Sequence, residues 1–200
     1  SHLHKIESLI TFVSLHDEIL IKKTKTSNHK ISFFGRFSKG IGKENSISKL
    51  LKILDKRKLI QNKKFIIKIK KKIPIQAGLG GGSMNAASVL KYLLKKEKIK
   101  VTRKEIIKIC GSVGSDVILG MRLGNLILTS KNKVRYFKKK QKFHVLVVKP
   151  NFGCATKEIY SRVKNFCKTE FNRPNKRMFG INFLKEKRNQ LEEVSFVKYP

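Results

Sequence analysis

Four glycines set directly before a helix-forming stretch are the residues of this chain best suited to grip an anion: Pro74-Ile75-Gln76-Ala77-Gly78-Leu79-Gly80-Gly81-Gly82-Ser83-Met84-Asn85-Ala86-Ala87. Glycine has no Cβ, so a run of it lets successive backbone N–H groups turn inward on a phosphate and tolerates backbone angles that other residues resist. From Asn85 to Leu94 the composition and spacing are helical. The unpaired N–H groups and positive dipole end of that helix would face the same pocket. The competing reading is a flexible linker. Against it, the β-like run Phe65-Ile66-Ile67-Lys68-Ile69-Lys70 leads in, Pro74 punctuates, and a helix with Val89, Leu90, Leu93 and Leu94 on one face leads out.

Phosphoryl chemistry also needs a carboxylate near the attacking hydroxyl. The chain has three aspartates, Asp17, Asp55 and Asp116. Only Asp116 lies among small residues, in Gly111-Ser112-Val113-Gly114-Ser115-Asp116-Val117. Asp17, following His16 at a strand entrance, and Asp55, ending a helix among lysines, read as surface turns. Asp116 standing alone reads rather as a helix cap or turn residue.

Two familiar glycine motifs do not fit. The Walker pattern ends in Gly-Lys-Ser/Thr, whereas Gly82 is followed by Ser83 and Met84. The dinucleotide pattern has Ser83 where its last glycine belongs, and no acidic residue sits at the distance needed to hold a ribose.

The segment resembles, nearly residue for residue, the phosphate loop of the galactokinase, homoserine kinase, mevalonate kinase and phosphomevalonate kinase superfamily, Pro-x-x-x-Gly-Leu-Gly-Gly-Gly/Ser-Ser-x-Asn-Ala-Ala. Its triple glycine is most similar to that of the 4-diphosphocytidyl-2-C-methyl-D-erythritol kinases, with Met84 where a second serine is usual. That resemblance implies ATP, accompanied by Mg²⁺, held by residues 74–84. It also implies phosphorylation of a hydroxyl on a cytidine diphosphate conjugate in isoprenoid precursor synthesis outside the mevalonate route. Gly114-Ser115-Asp116-Val117 resembles the family's Gly-Ala/Ser-Asp-Val-Pro, which makes Asp116 the base on the substrate hydroxyl, with Ile118 in place of the proline.

Shorter stretches extend the likeness. The run from Pro150 to Tyr160 is similar to the family's strand-to-helix segment ending in a threonine and then an aromatic. Thr156 would then contact substrate and Tyr160 would stack on cytosine. Tyr160 could also be a plain amphipathic residue on a helix opening at Thr156. Leu3-His4-Lys5-Ile6-Glu7-Ser8-Leu9 resembles the family's Tyr-His-x-Leu-x-Ser/Thr-Leu, which puts His4 on the cytosine edge and Leu3 where a tyrosine is usual. Arg188-Asn189-Gln190-Leu191-Glu192 resembles the Asn-Asp-Leu/Cys-Glu of the second domain. The family's Lys-x-Asn-Leu strand and its late Gly-Ser-Gly-x-x-x-Phe motif are not in this chain, which reads as a piece of a longer protein or the product of a shortened gene.

The elements that must position these residues are strands near 8–13, 18–24, 29–34, 64–70, 124–129 and 143–148 and helices near 46–56, 83–96 and 102–110. Clustered strands with helices grouped between them indicate an α+β fold. The resemblance refines this to a two-domain kinase fold with both ends incomplete. Residues 1–140 would be an ATP-binding domain like ribosomal protein S5 domain 2. Residues 141–200 would be part of a ferredoxin-like substrate domain, with the boundary at Lys138-Lys139-Lys140-Gln141.

A length of 200 residues, 40% of them hydrophobic, supports real cores. No apolar run reaches the roughly 18 residues a membrane span needs, and no signal peptide is visible. Cys110, Cys154 and Cys167 lack metal-ligand spacing, so the expectation is reduced thiols, a cytoplasmic setting, no protein-bound metal and no membrane partner. The net charge of +34 would suit nucleic acid. Yet lysines spread along nearly every element, without a basic arm or an aromatic RNA-binding signature, which reads as compositional bias rather than a specific nucleic-acid site. A basic RNA-binding module and an inactive kinase remnant are the alternatives to a working kinase.

Overall fold

A computed structural model describes the chain except residues 1–5, 132, 139–142, 151, 154, 155, 165, 166 and 200, and the side chains of 156 and 157. It separates into two compact units, Ser14–Arg122 and the combination of Ser1–Val13 with Leu123–Pro200.

In Ser14–Arg122 the alternation of apolar and charged residues builds a one-faced sheet. Strands β2 (Glu18–Thr24), β3 (Lys30–Phe34) and β4 (Lys64–Lys70) lie in the order β2-β4-β3. β4 runs antiparallel to β2 and parallel to β3, with Ile67 opposite both Ile21 and Ile31. Phe65, Ile67 and Ile69 are buried, while Lys68 and Lys70 take the other face.

Three helices cover the apolar side. Helix α1 (Ser46–Lys56) joins the parallel pair and buries Ile47, Leu50, Leu51 and Leu54. Its N-cap Asn45 accepts the N–H groups of Ile47 and Ser48, both at 3.0 Å. Helix α2 (Gly81–Lys96) buries Ala86, Ala87, Val89, Leu90 and Leu93. Helix α3 (Arg103–Val113) opens on a capping box in which Thr102 Oγ1 accepts the Glu105 N–H and Glu105 accepts the Thr102 N–H. It runs three residues beyond the expected end at 110, because Val113 buries its side chain and Gly111 and Ser112 continue the turn. A 3₁₀ helix, Val117–Met121, closes the unit.

The second unit holds an antiparallel sheet, β1 (Ser8–Ile10), β5 (Asn125–Leu128) and β6 (Val134–Phe137), in the order β1-β5-β6. It also holds short helices α4 (Thr156–Ser161), α5 (Ile181–Lys185) and α6 (Gln190–Lys198). Glu7 ties its segments: the carboxylate accepts the N–H groups of Ser130 at 3.3 Å, Glu170 at 2.7 Å and Phe171 at 2.9 Å.

The two compact units meet in the chain at 13/14 and 122/123. Leu9 pairs with Ile127, so β5 and β6 are held by the amino-terminal strand. The strand expected over 143–148 does not form. Val145, Leu146 and Val148 are 60%, 87% and 81% exposed, and a β-branched run makes a strand only where a neighbour takes its hydrogen bonds. Among the described residues no helix is long and apolar enough to cross a membrane.

Candidate active site

The glycine segment is an open loop that feeds α2. The helix begins at Gly81, two residues before the expected Ser83, because Gly80 serves as N-cap in the left-handed region (φ 64°, ψ 15°). No side chain caps it, and the first intrahelical bond runs from Met84 N–H to Gly80 O at 2.9 Å. The N–H groups of Gly81, Gly82 and Ser83 thus precede the helical ladder, at the positive end of a 16-residue helix. Gln76 and Gly78 also have positive φ, 52° and 68°. A Cβ added at Gly78 or Gly80 would meet nothing within 4 Å, so the space around the loop is open.

The neighbours of the loop are well defined. A Cβ on Gly81 would come within 3.1 Å of Ile73 Cγ2, so this glycine permits the close approach of the helix to the end of the strand segment. Gly82 faces Ser46 Oγ, and Ile75 Cδ1 lies against Gly40. Pro74, Ile75 and Ala77 are half-buried, whereas Gln76 and Leu79 are exposed. Met84 has its N–H bonded within the helix and its thioether packed on Gly120, where an added Cβ would stand 2.9 Å from the sulfur and 2.7 Å from Ala87 Cβ.

That packing brings the segment of Asp116 to the first turn of α2. Gly114 lies beside Ser83, with an added Cβ 3.9 Å from Ser83 Oγ, and Asp116 directly precedes, without a side-chain capping bond, the 3₁₀ helix whose Gly120 seats on Met84 and Ala87. The Asp116 carboxylate is exposed and accepts a bond from Ser115 Oγ at 3.2 Å. Among the described residues no Lys, Arg or His stands within 4.0 Å of it.

The other two aspartates are not surface turns. Asp17 is buried, pairs with the Lys71 ammonium, and accepts Lys72 N–H at 2.7 Å, Ile73 N–H at 2.9 Å and Asn85 Nδ2–H at 2.8 Å. Burial alone would raise its pKa, but the bonds from Lys71, Ile73, Asn85 and Lys72 together outweigh it and hold the carboxyl below the usual range. Asp55 is half-buried, with both oxygens 2.9 Å from Lys64 Nζ and one 3.0 Å from His29 Nε2. His29 Nδ1 accepts the Phe65 N–H at 3.1 Å, so Nε2 carries the proton toward Asp55. Burial lowers the His29 pKa despite the opposing pull of Asp55. With both nitrogens engaged, this pair is structural.

A cavity of about 570 Å³ opens beside these elements, lined among others by Ile31, Phe33, Ile41, Asn45, Ser48 and Leu51. Among the described residues no group of three or more His, Cys, Asp and Glu is placed to hold a metal.

The remaining predicted residues belong to the other unit. Thr156 begins α4, with its side chain outside the described residues, and Tyr160 is half-buried on the same helix. His4 lies outside the described residues. Asn189 caps α6, accepting the Leu191 N–H at 3.1 Å.

Comparison with known proteins adds a lineage. Residues 45–127 match the GHMP kinases N terminal domain. Over 200 residues the chain is 54% identical to the 4-diphosphocytidyl-2-C-methyl-D-erythritol kinase of Pelagibacter ubique, covering 100% of this chain and 71% of that protein. It is 29% identical to the enzyme of the same name from Francisella philomiragia, covering 98% and 70%. Its fold is similar to a crystal structure of 4-(cytidine 5'-diphospho)-2C-methyl-D-erythritol kinase, with TM-score 0.67, 21% identity and coverage of 97% and 69%. The fold is also similar to that of homoserine kinase from Cytophaga hutchinsonii, with TM-score 0.54, 19% identity and coverage of 76% and 52%.

Proposed function

Because this chain belongs to the GHMP kinases, and within them to the 4-diphosphocytidyl-2-C-methyl-D-erythritol kinases, we propose how its residues carry that reaction. The protein is an ATP-dependent kinase that phosphorylates a hydroxyl of 4-diphosphocytidyl-2-C-methyl-D-erythritol, a step in the synthesis of isoprenoid precursors.

The main-chain N–H groups of Gly81, Gly82 and Ser83 hold the triphosphate, and the open space at Gly78 and Gly80 admits it. The Asp116 carboxylate takes the proton of the acceptor hydroxyl as its oxygen bonds to the γ-phosphorus. The bond from that phosphorus to the bridging oxygen breaks, and ADP leaves. A Mg²⁺ ion arriving on the phosphates would offset their charge. The Ser83 hydroxyl is a hard oxygen donor that suits it, and such an ion needs few protein ligands. The cavity lined by Phe33, Ile41 and Leu51 is the space proposed for the nucleoside. Cytosine of the acceptor is assigned to His4, Thr156 and Tyr160, with stacking on the Tyr160 ring. On this reading residues 1–140 form the ATP-binding domain, the part like ribosomal protein S5 domain 2, and residues 141–200 belong to the ferredoxin-like substrate domain.

One observation carries the reading: the chain's sole aspartate without an ion pair among the described residues rides on a segment packed against a helix start whose N–H groups are open. In the full-length protein, Asp116→Asn is expected to keep ATP binding and lose turnover by about a hundredfold or more. Turnover near that of the unaltered protein removes Asp116 as the base.

A further inference from the structure

Both ends of the glycine loop are tied to one buried carboxylate that the reaction itself does not use. Asp17, at the entrance to β2, has a side chain with 0% exposure. Its Oδ1 accepts the N–H groups of Lys72 and Ile73, the residues just before Pro74. Its Oδ2 accepts the Nδ2–H of Asn85, the residue just after Met84, together with the Lys71 ammonium. Entry and exit of residues 74–84 are therefore held on two oxygens of a single side chain.

From this geometry we infer that Asp17 is a positioning residue for ATP: with Asn85 it fixes the spacing of the loop's two ends, and so the aim of the Gly81, Gly82 and Ser83 N–H groups at the phosphates. The inference rests on the kinase reading above. Three features make an acid paired to a lysine the fitting choice. Four donors converge on this side chain, and a neutral amide would offer one oxygen for them. A bare carboxylate behind a phosphate cradle would repel the ligand, and Lys71 cancels that charge. Ile73, held by its N–H, is also the residue on which Gly81 closes, since a Cβ added at Gly81 would stand 3.1 Å from Ile73 Cγ2, so a shift of the tie is passed directly to the helix start.

The test uses the full-length protein and reads KM for each substrate. Asn85→Ala cuts the exit tie and leaves the bonds from Lys71, Lys72 and Ile73; the KM for ATP is expected to rise about tenfold, with the KM for the cytidine diphosphate acceptor held within about twofold. A role in stability alone would not divide the two substrates in this way. The exchange Asp17→Asn with Asn85→Asp restores an amide–carboxylate pair beside Lys71, and is expected to recover ATP affinity relative to Asp17→Asn alone. Should Asn85→Ala not fold, the same split is read in Asn85→Leu, which keeps the volume and lacks the donor. An unchanged KM for ATP, an equal rise for both substrates, or an exchange no better than Asp17→Asn overturns the proposal. Calorimetry of the unaltered protein with ATP separates the two claims. No binding there removes the kinase reading and this inference with it, whereas binding that is equal in Asn85→Ala removes this inference alone.

Discussion

Replacing Gly80 by alanine should damage nucleotide binding far more than folding. Gly80 sits at φ 64°, ψ 15°, where a residue with a Cβ costs about 1–2 kcal/mol, of which about 0.4–1 kcal/mol returns through the stiffer unfolded chain. The added methyl meets nothing within 4 Å, so no clash enlarges that figure, and the net loss of stability is about 1 kcal/mol. On the proposed reading, the same space is where a phosphate would come to reach the N–H groups of Gly81 and Gly82. A methyl there, and any relaxation of φ that turns those groups aside, should weaken ATP by about tenfold or more, at least about 1.4 kcal/mol. Gly111 supplies the control. It lies within α3, also with nothing within 4 Å of an added Cβ, so Gly111→Ala should gain up to about 1 kcal/mol and leave ATP affinity unchanged. Urea unfolding and calorimetric titration with ATP measure the two quantities on the same samples. If Gly80→Ala binds ATP as the unaltered protein does, the loop N–H groups do not hold the triphosphate and the argument fails.

Other consequences can be checked with simple measurements. Gly120→Ala forces a Cβ to 2.7 Å from Ala87 Cβ, an overpacking that should cost about 1–3 kcal/mol in urea unfolding and lower kcat by displacing the turn that follows Asp116; adding Ala87→Gly should restore part of both. His29 is held below its ordinary 6.5 by burial, so the folded state binds fewer protons than the unfolded one just below that pH. Stability should be fully present above about pH 6.5 and fall as pH drops toward the folded-state value, and His29→Gln should flatten that part of the curve. A slope unchanged in His29→Gln would exclude this residue as its source. Cys110 is buried, which pushes its thiol up to about 11, whereas Cys167 is exposed; a disulfide-exchange reagent should label Cys167 in the folded protein and reach Cys110 only on unfolding.

What local sequence could show, it showed where the signal was periodic. The alternation in Lys64–Lys70 and the apolar face of Val89, Leu90 and Leu93 correspond to a real strand and helix, because burial on one side is enough to fix such elements. The misses share a cause, which is dependence on residues far away in the chain. Asp17 meets Lys71 and Asn85, 54 and 68 positions away, and no window around residue 17 contains either. The apolar run 143–148 has the composition of a strand but takes no strand partner among the described residues. β6 spans only four residues beside a lysine run, too short to show a period. The strand, loop and helix order around the glycines was legible because the flanking periods are local, and Gly78 and Gly80 take the positive φ that glycine permits.

The scarcity of acids gives the assignment of Asp116 its force. With 47 basic residues against 13 acidic ones, a carboxylate in this chain has many ammonium groups competing for it. Asp17 takes Lys71, Asp55 takes Lys64, and Glu97 lies between Lys23 at 3.5 Å and Lys63 at 2.9 Å. Pairing is therefore what electrostatics favours by default here, and in Asp17 and Glu97 the lysine partners help hold the carboxyl below its usual range. Asp116 stands apart from its two fellow aspartates: exposed, bonded to the Ser115 hydroxyl, and without a cation in range among the described residues. An arriving polyphosphate would draw lysines toward itself and still leave this carboxylate free to take a hydroxyl proton. An aspartate paired as Asp17 is could not serve in that way without first breaking a buried contact.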